Sequence, residues 1–312
     1  MKVLSLFDGM SCGQIALNRL NLRVSEYFAS EVDKYAIQVA SKNFPNTKHV
    51  GDVRLLESSD FNGIDLLIGG SPCQNFSFSG SRAGMTTKEN LEVTTLEQYL
   101  QLKDEGFEFN GQSYLFWEYV RLLRQVKPKY FILENVNMSS KWKNIITEVL
   151  GVEPIKIQSS LVSAQSRTRL YWTNIPNVTQ PTDKGLKLGS VVSPSEDFKL
   201  PKHYQERLKI YDKPKGIVYG DTKKPTTKIG QRDECFGLEG ISGCLTATMY
   251  KQPPQYIYNG EVYKLSPTEC EKLQTVPVGY TEGVSNSQRY KMLGNGWTVD
   301  VIVHILNGLK GE

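Results

Sequence analysis

Cys73 lies in the stretch LLIGGSPCQNFSFSG, directly after an apolar run, two glycines, a serine and a proline. A cysteine is most often a small buried hydrophobe. The flanking Ser71, Gln74 and Ser77 are too polar for a core, however, and favour a thiol placed in a loop. An unperturbed thiol with a pKa of about 8.5 is only a few per cent ionised at neutral pH, so attack by its sulfur needs help from other groups.

Three other polar residues could supply this help, and each of them lies next to an apolar run. Glu134 comes directly after KYFIL, and Arg167 and Arg169 lie in QSRTR just before LYW. Taken alone, Glu134 is as well explained by a helix cap. Two arginines at i and i+2 of one strand face the same side, and alone they could be an ordinary surface pair.

The loop SLFDGMSCGQIAL joins the first predicted strand to the first predicted helix, with Gly9 and Gly13 four residues apart. The spacing is neither the dinucleotide motif nor a Walker A sequence, and a plain strand-to-helix turn explains it equally well. Glu31 and Asp52 follow the next two strands, where acidic side chains can bind the hydroxyls of a ribose. Asp8 would repel a pyrophosphate but suits a sulfonium cation. S-adenosylmethionine therefore fits this loop better than NAD.

The apolar runs that must position these residues alternate between strand and helix patterns, which predicts a parallel sheet covered on both faces. Strands are predicted at 2–7, 26–30, 64–69, 129–133, 155–162 and 169–174, and helices at 13–20, 34–44, 114–126 and 298–309. Ligands bind at the carboxyl edge of such sheets, and the strand before Cys73 ends at this edge.

Composition excludes several classes of protein. The five cysteines form no CxxC pair and no zinc spacing with the three histidines, so neither a metal site nor a disulfide framework is expected. No signal peptide or membrane span is recognisable, which predicts a soluble protein of a reducing cytoplasm. The net charge is +4, and residues 181–234 hold 12 lysines and arginines against 8 acidic residues. This stretch is a candidate surface for a polyanion.

Taken together, these motifs closely resemble those of the DNA cytosine 5-methyltransferases. The matching stretches are FDGMSCG, SEVD, GDVR, GGSPCQNFS, ENV, QSRTR, SPTECEKLQTVP and MLGNGWTV, in the order found in that family. The resemblance implies a class I S-adenosylmethionine-dependent methyltransferase fold, in which a mostly parallel seven-stranded sheet has helices on both faces, plus a small irregular target-recognition domain. The expected domains are catalytic at 1–176, target-recognition at 177–262 and a segment returning to the catalytic domain at 263–312.

The resemblance also implies roles for individual residues. Cys73 would attack carbon 6 of a flipped-out cytosine, Glu134 would contact its amine and protonated N3, and Arg167 and Arg169 would steady the base and the loop. Cofactor binding is implied for Phe7, Asp8, Gly9, Cys12, Gly13, Glu31, Val32, Asp52, Val53, Pro72, Asn295 and Trp297. Substrate binding is implied for Gln74, Ser77, Asn135 and Gln165.

The expected cofactor is S-adenosylmethionine, and the expected partner is double-stranded DNA, with no membrane and no metal. A cognate restriction endonuclease acting separately is a further candidate partner. We expect a monomer in the cytoplasm of a bacterial cell or a phage-infected host. DNA contacts are expected from residues 177–262, through Lys213, Lys215, Lys223, Lys224, Lys228, Thr226, Thr227, Gln231 and Arg232.

Three other functions compete with DNA methylation. A tRNA cytosine methyltransferase is the nearest of them, but that branch usually carries Cys-Phe-Thr where this chain has CFG at 235–237. A catalytically dead DNA-binding relative is the second, and the intact Cys73, Glu134 and Arg167 argue against it. An NAD oxidoreductase is the third, and it is disfavoured by Asp8 and by the missing dinucleotide motif.

Two features depart from the family pattern. Residues 86–112 lengthen the loop after Cys73, and Ser113 with Tyr114 replaces the usual Arg-Gly. Because residues 86–112 are polar, with a charged KDEG between short apolar pieces, we expect a mobile excursion that becomes ordered over DNA.

Overall fold

The computed structural model describes residues 1–73, 76, 84–224 and 233–311. The chain forms two compact units. The first contains residues 1–157, 168–179 and the chain end from residue 303, and the second contains residues 158–167 and 180–302.

A seven-stranded sheet forms the centre of the first unit. Its strands are β1 (Lys2–Leu6), β2 (Glu26–Ser30), β3 (Lys48–His49), β4 (Leu66–Gly70), β5 (Tyr130–Val136), β6 (Ile155–Gln158) and β7 (Thr168–Thr173). They lie in the order β3-β2-β1-β4-β5-β7-β6. The pairs from β3 to β5 are parallel, whereas β7 runs antiparallel to β5. The predicted α/β fold class is confirmed.

Helices connect these strands, and local sequence signals fix several of their ends. The helices of this unit are α1 (Cys12–Arg19), α2 (Lys34–Asn43), α3 (Leu96–Asp104), α4 (Phe116–Val126) and α5 (Ser140–Leu150). The Asp33 carboxylate accepts backbone N–H bonds in the first turn of α2, and Gly151 ends α5 with a φ of 68°. The core of the unit packs β1, β4 and β5 against α4 and α5.

Two strand boundaries differ from those predicted, and both differences bear on the site. Strand β5 extends beyond KYFIL to include Glu134 and Val136, because it is paired on both sides: Glu134 lies opposite Gly70 of β4, and Val136 lies opposite Arg169 of β7. Strand β7 begins at Thr168, so Arg167 precedes the strand and only Arg169 lies on it. The expectation of two arginines on one strand face is therefore wrong.

The expectation that residues 86–112 form a mobile excursion is also wrong. Thr86 bridges to Glu92 and Thr87 to Phe109. Thr95 is the N-cap of α3, and its hydroxyl accepts the N–H of Gln98. Four apolar residues of the segment are buried in the core of the first unit, and they are Val93, Leu96, Tyr99 and Leu102. The segment folds because these residues recur at helical spacing from Leu96 onward, a signal that its polar composition hides.

The second unit contains a mixed five-stranded sheet in the order β12-β11-β10-β9-β8. Its strands are β8 (Lys209–Lys215), β9 (Val218–Asp221), β10 (Glu234–Phe236), β11 (Gln255–Tyr258) and β12 (Glu261–Lys264). Only β10 and β11 are parallel to each other among the pairs with a described register. Helices α6 (Lys202–Gln205), α7 (Pro267–Leu273) and α8 (Asn286–Asn295) belong to this unit, and α9 (Val299–Leu306) follows toward the chain end.

The division between the two units differs from the predicted domain boundaries. Residues 263–302 were expected to return to the catalytic domain, but they belong to the second unit, as do residues 158–167. The physical reason is hydrogen bonding: Gln165 donates to the Leu273 carbonyl (3.0 Å) and accepts the Leu245 N–H (3.0 Å). Contacts so distant along the chain leave no periodic pattern in the sequence.

Candidate active site

The predicted site residues of the first unit lie along one edge of its sheet, where the parallel strands end. Following the strand order, this edge carries Asp52 after β3, Glu31 after β2, Asp8 after β1, Cys73 after β4 and Glu134 near the end of β5. The chain moves outward from β1 to β2 and β3, and then starts again on the other side of β1 with β4. The position between β1 and β4 is thus a topological switch point, where open α/β sheets bind ligands.

The segment that carries Cys73 is fixed just before and just after the thiol. The side-chain amide of Asn135 donates to the Ser71 hydroxyl at 3.0 Å and to the Ser71 carbonyl at 3.3 Å. The N–H of Phe76 donates to the Cys73 carbonyl at 3.0 Å. Cys73 itself is half-buried. Asn135 was expected to bind substrate, but it is buried and its amide nitrogen holds the loop, so it acts here as a positioning residue.

Glu134 is ion-paired with Arg169. Arg169 Nε lies 2.8 Å from Glu134 Oε1, and both side chains are largely buried. Arg169 also donates to the Thr168 carbonyl at 2.8 Å, so its guanidinium is held at two points. Because Gly70 is the strand neighbour of Glu134, the carboxylate lies on the strand next to the one that leads into Cys73. A nucleophile and an acid on adjacent strand ends are the two groups that addition to an electron-poor ring requires.

The loop after β1 presents a carboxylate with altered acidity. Asp8 accepts hydrogen bonds from the hydroxyls of Tyr27 (2.7 Å) and Ser11, and its own N–H donates to Ser30. Burial raises the pKa of Asp8 to about 6, although the hydroxyl donors Ser11, Ser5 and Tyr27 lower it, and nearby Glu31 raises it further. A carboxylate whose charge is poorly solvated is a favourable neighbour for a bound cation.

The backbone of this loop is strained. Phe7 and Ser11 have φ values of 56° and 63°, in a region that residues with a Cβ rarely adopt, and Gly9 has a φ of 58°. Such strain is concentrated at ligand-binding sites. Gly13 has a role in packing, because a Cβ there would lie 2.4 Å from Ile68 Cδ1. This glycine allows α1 to pack closely on the sheet, and Cys12 beside it is likewise buried.

The carboxylates of Glu31 and Asp52 are both bonded to nearby N–H groups. Glu31 accepts from the backbone of Gly9 (2.8 Å), Val32 (2.7 Å) and Asp33 (2.8 Å), and so ties the first loop to the end of β2. Asp52 accepts from the backbone and the guanidinium of Arg54. The Val32 residue is 67% exposed, which leaves an apolar surface next to these acids.

A cluster around Glu118 supports the backbone beside Asp52. Glu118 is fully buried on α4 and accepts from Tyr99 (2.6 Å), Lys103 (2.7 Å) and Arg121 (2.6 Å). Arg121 in turn donates to the carbonyl of Val53 at 3.2 Å. Burial and the hydrogen bond to Glu118 raise the pKa of Tyr99. Tyr99 and Lys103 belong to α3. The segment that departs from the family pattern therefore helps to hold the backbone beside Asp52, at one end of the sheet edge.

The second unit holds the remaining predicted residues. Arg167 is 3% exposed and donates to the carbonyls of Leu245 (2.8 Å), Gly296 (2.9 Å) and Gly294 (3.4 Å). Gln165, expected to bind substrate, is also buried and bonded to backbone groups. Asn295 is exposed at the end of α8, whereas Trp297 is nearly buried. The structure thus gives Gln165 and Arg167 a role in joining distant segments of the second unit.

Several predicted residues lie outside the described part of the chain. They are Gln74 and Ser77 near the cysteine and Thr226, Thr227, Lys228, Gln231 and Arg232 in the second unit. Pro72 is described and is half-buried immediately before Cys73. Sequence reasoning missed Ser71 as the acceptor for Asn135 and missed the buried acid Glu118. A glutamate inside an apolar helix, as in FWEYVRLL, was the available signal for the latter.

Within the described ranges, no group of three or more His, Cys, Asp or Glu side chains is arranged to hold a metal ion. Nor does that part of the chain contain a helix both long and apolar enough to cross a membrane.

The mostly parallel seven-stranded sheet with an antiparallel β7 has the architecture of the class I S-adenosylmethionine-dependent methyltransferases. The chain matches the family of C-5 cytosine-specific DNA methylases over residues 1–228 and 202–311, and it belongs to that family. Members of this family are enzymes that use S-adenosylmethionine as methyl donor, so the predicted enzyme class and cofactor are confirmed.

Individual relatives agree with this assignment. The chain is 26% identical over 334 residues to the type II methyltransferase M.HhaI of Haemophilus parahaemolyticus, covering 98% of this chain and 93% of the relative. It is 24% identical over 331 residues to the type II methyltransferase M1.ScrFI of Lactococcus lactis subsp. cremoris, covering 96% and 76%. Among solved structures, the Entamoeba histolytica methyltransferase EhMeth superposes with a TM-score of 0.69 at 16% identity, covering 100% and 98% of the two chains. This last likeness concerns the fold.

Proposed function

We propose that this protein methylates carbon 5 of a specific cytosine in double-stranded DNA, with Cys73 as the nucleophile and Glu134 as the acid. The observation that carries the proposal is the order of groups along the sheet edge. Cys73 and Glu134 lie on adjacent strand ends, and the carboxylates of Asp8 and Glu31 lie on the other side of the switch point.

The residues after β1, β2 and β3 fit S-adenosylmethionine. Asp8, Glu31 and Asp52 are acceptors for cationic, hydroxyl and amine groups, and the exposed Val32 offers an apolar face. Three acids at these strand ends are unsuited to a phosphate-rich cofactor. When bound, S-adenosylmethionine supplies an electrophilic methyl group beside the cytosine.

The chain's own residues prepare the cytosine for this methyl group. The thiolate of Cys73 adds to carbon 6, and the carboxylic acid of Glu134 donates a proton toward N3, so that the ring does not accumulate negative charge. Carbon 5 thereby becomes nucleophilic. After methylation, water takes the carbon 5 proton, the electron pair of that C–H bond forms the double bond between carbons 5 and 6, and the Cys73 sulfur leaves as a thiolate. The N3 proton then returns to the Glu134 carboxylate. Arg169 holds the Glu134 carboxylate in place throughout.

The target base must leave the stack before Cys73 can reach carbon 6, at a cost of a few kcal/mol. The hairpin of β8 and β9 in the second unit is suited to contact the DNA backbone that surrounds it. Lys209, Lys213 and Lys215 are exposed on this hairpin, and Lys215 Nζ lies 4.6 Å from the centre of the Tyr211 ring. Phosphate contacts from these lysines would offset the cost of base flipping. We therefore assign recognition of the DNA sequence to the second unit, and we expect a monomer that functions apart from any cognate restriction endonuclease.

Expression in a host that lacks cytosine methylation, followed by sequencing of its DNA for 5-methylcytosine, tests this proposal. We expect methylation at one short sequence. Duplexes carrying 5-fluorocytosine at that site should trap the protein covalently, because the fluorine cannot leave as the carbon 5 proton does. Transfer to tRNA with no transfer to DNA would favour a tRNA methyltransferase instead.

The Cys73→Ala variant provides the matched control. It should show no methylation and no covalent trapping, because no other group supplies the attacking sulfur. Its affinities for S-adenosylmethionine and DNA should stay within about tenfold of the parent, since the thiol is needed only for the covalent step. Normal turnover by this variant would exclude the mechanism.

A further inference from the structure

Trp142 follows Glu134 by eight residues and packs against Phe76, three residues after Cys73, although no motif includes it. It is on the first turn of α5, the helix that follows the strand carrying Glu134. The side chain is 5% exposed and belongs to the core of the first unit. Trp142 therefore belongs to the same part of the core as β5 and the rest of α5.

Phe76 packs against Trp142 from the cysteine side. The two ring centroids are 5.9 Å apart, with an angle of 54° between the planes, and Phe76 is 3% exposed. Phe76 is also joined to the nucleophile, since its N–H donates to the Cys73 carbonyl. A displacement of Phe76 would consequently be passed to Cys73 through this hydrogen bond.

Gly84 meets the same indole from another direction. A Cβ added to Gly84 would lie 1.9 Å from Cζ2 and 2.0 Å from Cε2 of Trp142, and the glycine has a φ of +66°. Its backbone therefore lies directly against the ring, at a distance that no other residue permits. Trp142 is thus enclosed by Phe76 and Gly84 on the side of the chain that follows Cys73.

Helix α5 is in turn attached to the segment after Gly84. Lys141 Nζ lies 2.5 Å from Glu92 Oε2 and 5.3 Å from the centre of the Trp142 ring. The cation therefore covers the indole while it joins α5 to the residues that precede α3.

We propose that Trp142 is a positioning residue that sets the distance between Cys73 and Glu134. This inference rests on the proposed function, because it concerns the geometry of the same two groups. The indole is rigid and lies on α5, the helix that follows the strand carrying Glu134. It contacts Phe76, whose N–H donates to the Cys73 carbonyl. A misplacement of about 1 Å between reacting groups lowers a rate by about 100-fold, so this contact should govern the chemical step.

The first test compares substitutions in α5. Trp142→Leu should slow single-turnover methyl transfer and 5-fluorocytosine trapping by about 10-fold to 100-fold, while the KM for S-adenosylmethionine changes by less than about threefold. Trp142→Phe keeps an aromatic ring against Phe76 and should recover most of the rate, which also covers the case in which the leucine variant fails to fold. Ile146→Ala removes core volume one turn further along α5 and should lower stability without a comparable loss of rate.

The second test uses Gly84. Gly84→Ala should slow transfer, and its effect should be smaller by about threefold or more in the Trp142→Leu background, because the clash with the indole is then relieved. Gly106→Ala is the matched control, since Gly106 has a φ of +82° but nothing within 4 Å of an added Cβ. Equal effects of Gly84→Ala in both backgrounds would contradict the contact.

The third test does not depend on activity. The alkylation rate of Cys73 by iodoacetamide, measured peptide by peptide, should rise several-fold in Trp142→Leu, while that of Cys244, also half-buried, should stay the same. An unchanged Cys73 rate would overturn the inference whether or not the protein methylates DNA. Absence of methylation by the parent protein, together with a raised Cys73 rate in the variant, would instead overturn the proposed function and leave the anchoring in place.

Discussion

Glu134 in the first unit and Arg167 in the second are both nearly buried, yet they are bonded to different kinds of partner. Glu134 is paired with the side chain of Arg169, on a strand end next to Cys73. Arg167 donates to the backbone carbonyls of Leu245, Gly294 and Gly296, all far from it in sequence. A guanidinium bonded to several backbone carbonyls joins the segments that carry them.

Arg167 and Arg169 show the same contrast within one short motif. Both belong to QSRTR, but Arg169 lies on β7 in the first unit and Arg167 belongs to the second unit. Membership of a catalytic motif therefore does not mean contact with the reacting atoms. We expect substitutions on the two sides of this division to affect different observables.

The largest expected effect is that of Glu134→Gln. The amide can still accept a hydrogen bond but cannot supply the N3 proton, so single-turnover transfer should fall by about 10²–10⁴-fold. The urea midpoint should change little. Glu148→Gln, at an exposed position of α5, controls for the change of charge. An unchanged transfer rate for Glu134→Gln would give this residue a structural role like that of Arg167.

The next effect is on stability. Arg167→Met should lower the free energy of unfolding by about 3 kcal/mol, because it leaves buried carbonyls without donors. Urea denaturation followed by tryptophan fluorescence measures this loss. Arg169→Lys should instead slow methyl transfer at nearly unchanged stability. If the two variants showed the opposite pattern, the division between the two arginines would be wrong.

A third effect is on the pH dependence of cofactor binding. Burial raises the pKa of Asp8 from 3.8 to about 6. Ionisation of Asp8 therefore lowers the folding stability as the pH rises through 6. A cation bound beside Asp8 would offset this cost. Affinity for S-adenosylmethionine should therefore fall by about tenfold from about pH 7 to about pH 5, as Asp8 becomes protonated. Calorimetry with S-adenosylhomocysteine, whose sulfur is uncharged, should show a smaller change. The Asp8→Asn variant should bind the two ligands with little dependence on pH.

The smallest effect concerns the surface lysines of β8. Replacing Lys213 or Lys215 by glutamine should weaken binding to all DNA sequences alike and reduce the slope of log affinity against log salt by about one. Lys310→Gln, at an exposed position of the first unit, should leave the slope unchanged. A loss confined to one DNA sequence would mean that these lysines contact bases rather than phosphates.

Much of the sheet edge that carries Cys73 and Glu134 could be predicted from the sequence. Strand β2 was predicted with its observed bounds, and β1, α1 and α2 to within a residue at each end. These segments are short, strongly periodic and bounded by turn residues, so local pattern is sufficient. The polar residues after β1, β2, β3 and β4 then had to meet at one edge, since parallel strands end on the same side. The extension of β5 through Glu134 was missed because pairing with both β4 and β7, rather than hydrophobicity, stabilises it.

The sequence by itself determined the α/β class and the family and indicated Cys73 as the candidate nucleophile, since each depends on residue types at short spacings. Tertiary structure decided which polar side chains face the site and which are bonded within the protein. Asn135, Gln165 and Arg167 are bonded to backbone groups 64, 108 and 78 residues away. It also decided that residues 84–112 pack into the core and that Trp142 lies against both Phe76 and Gly84. These outcomes depend on which distant segments meet, and a hydrogen-bonding or aromatic side chain gives no sign of its partner until the chain has folded.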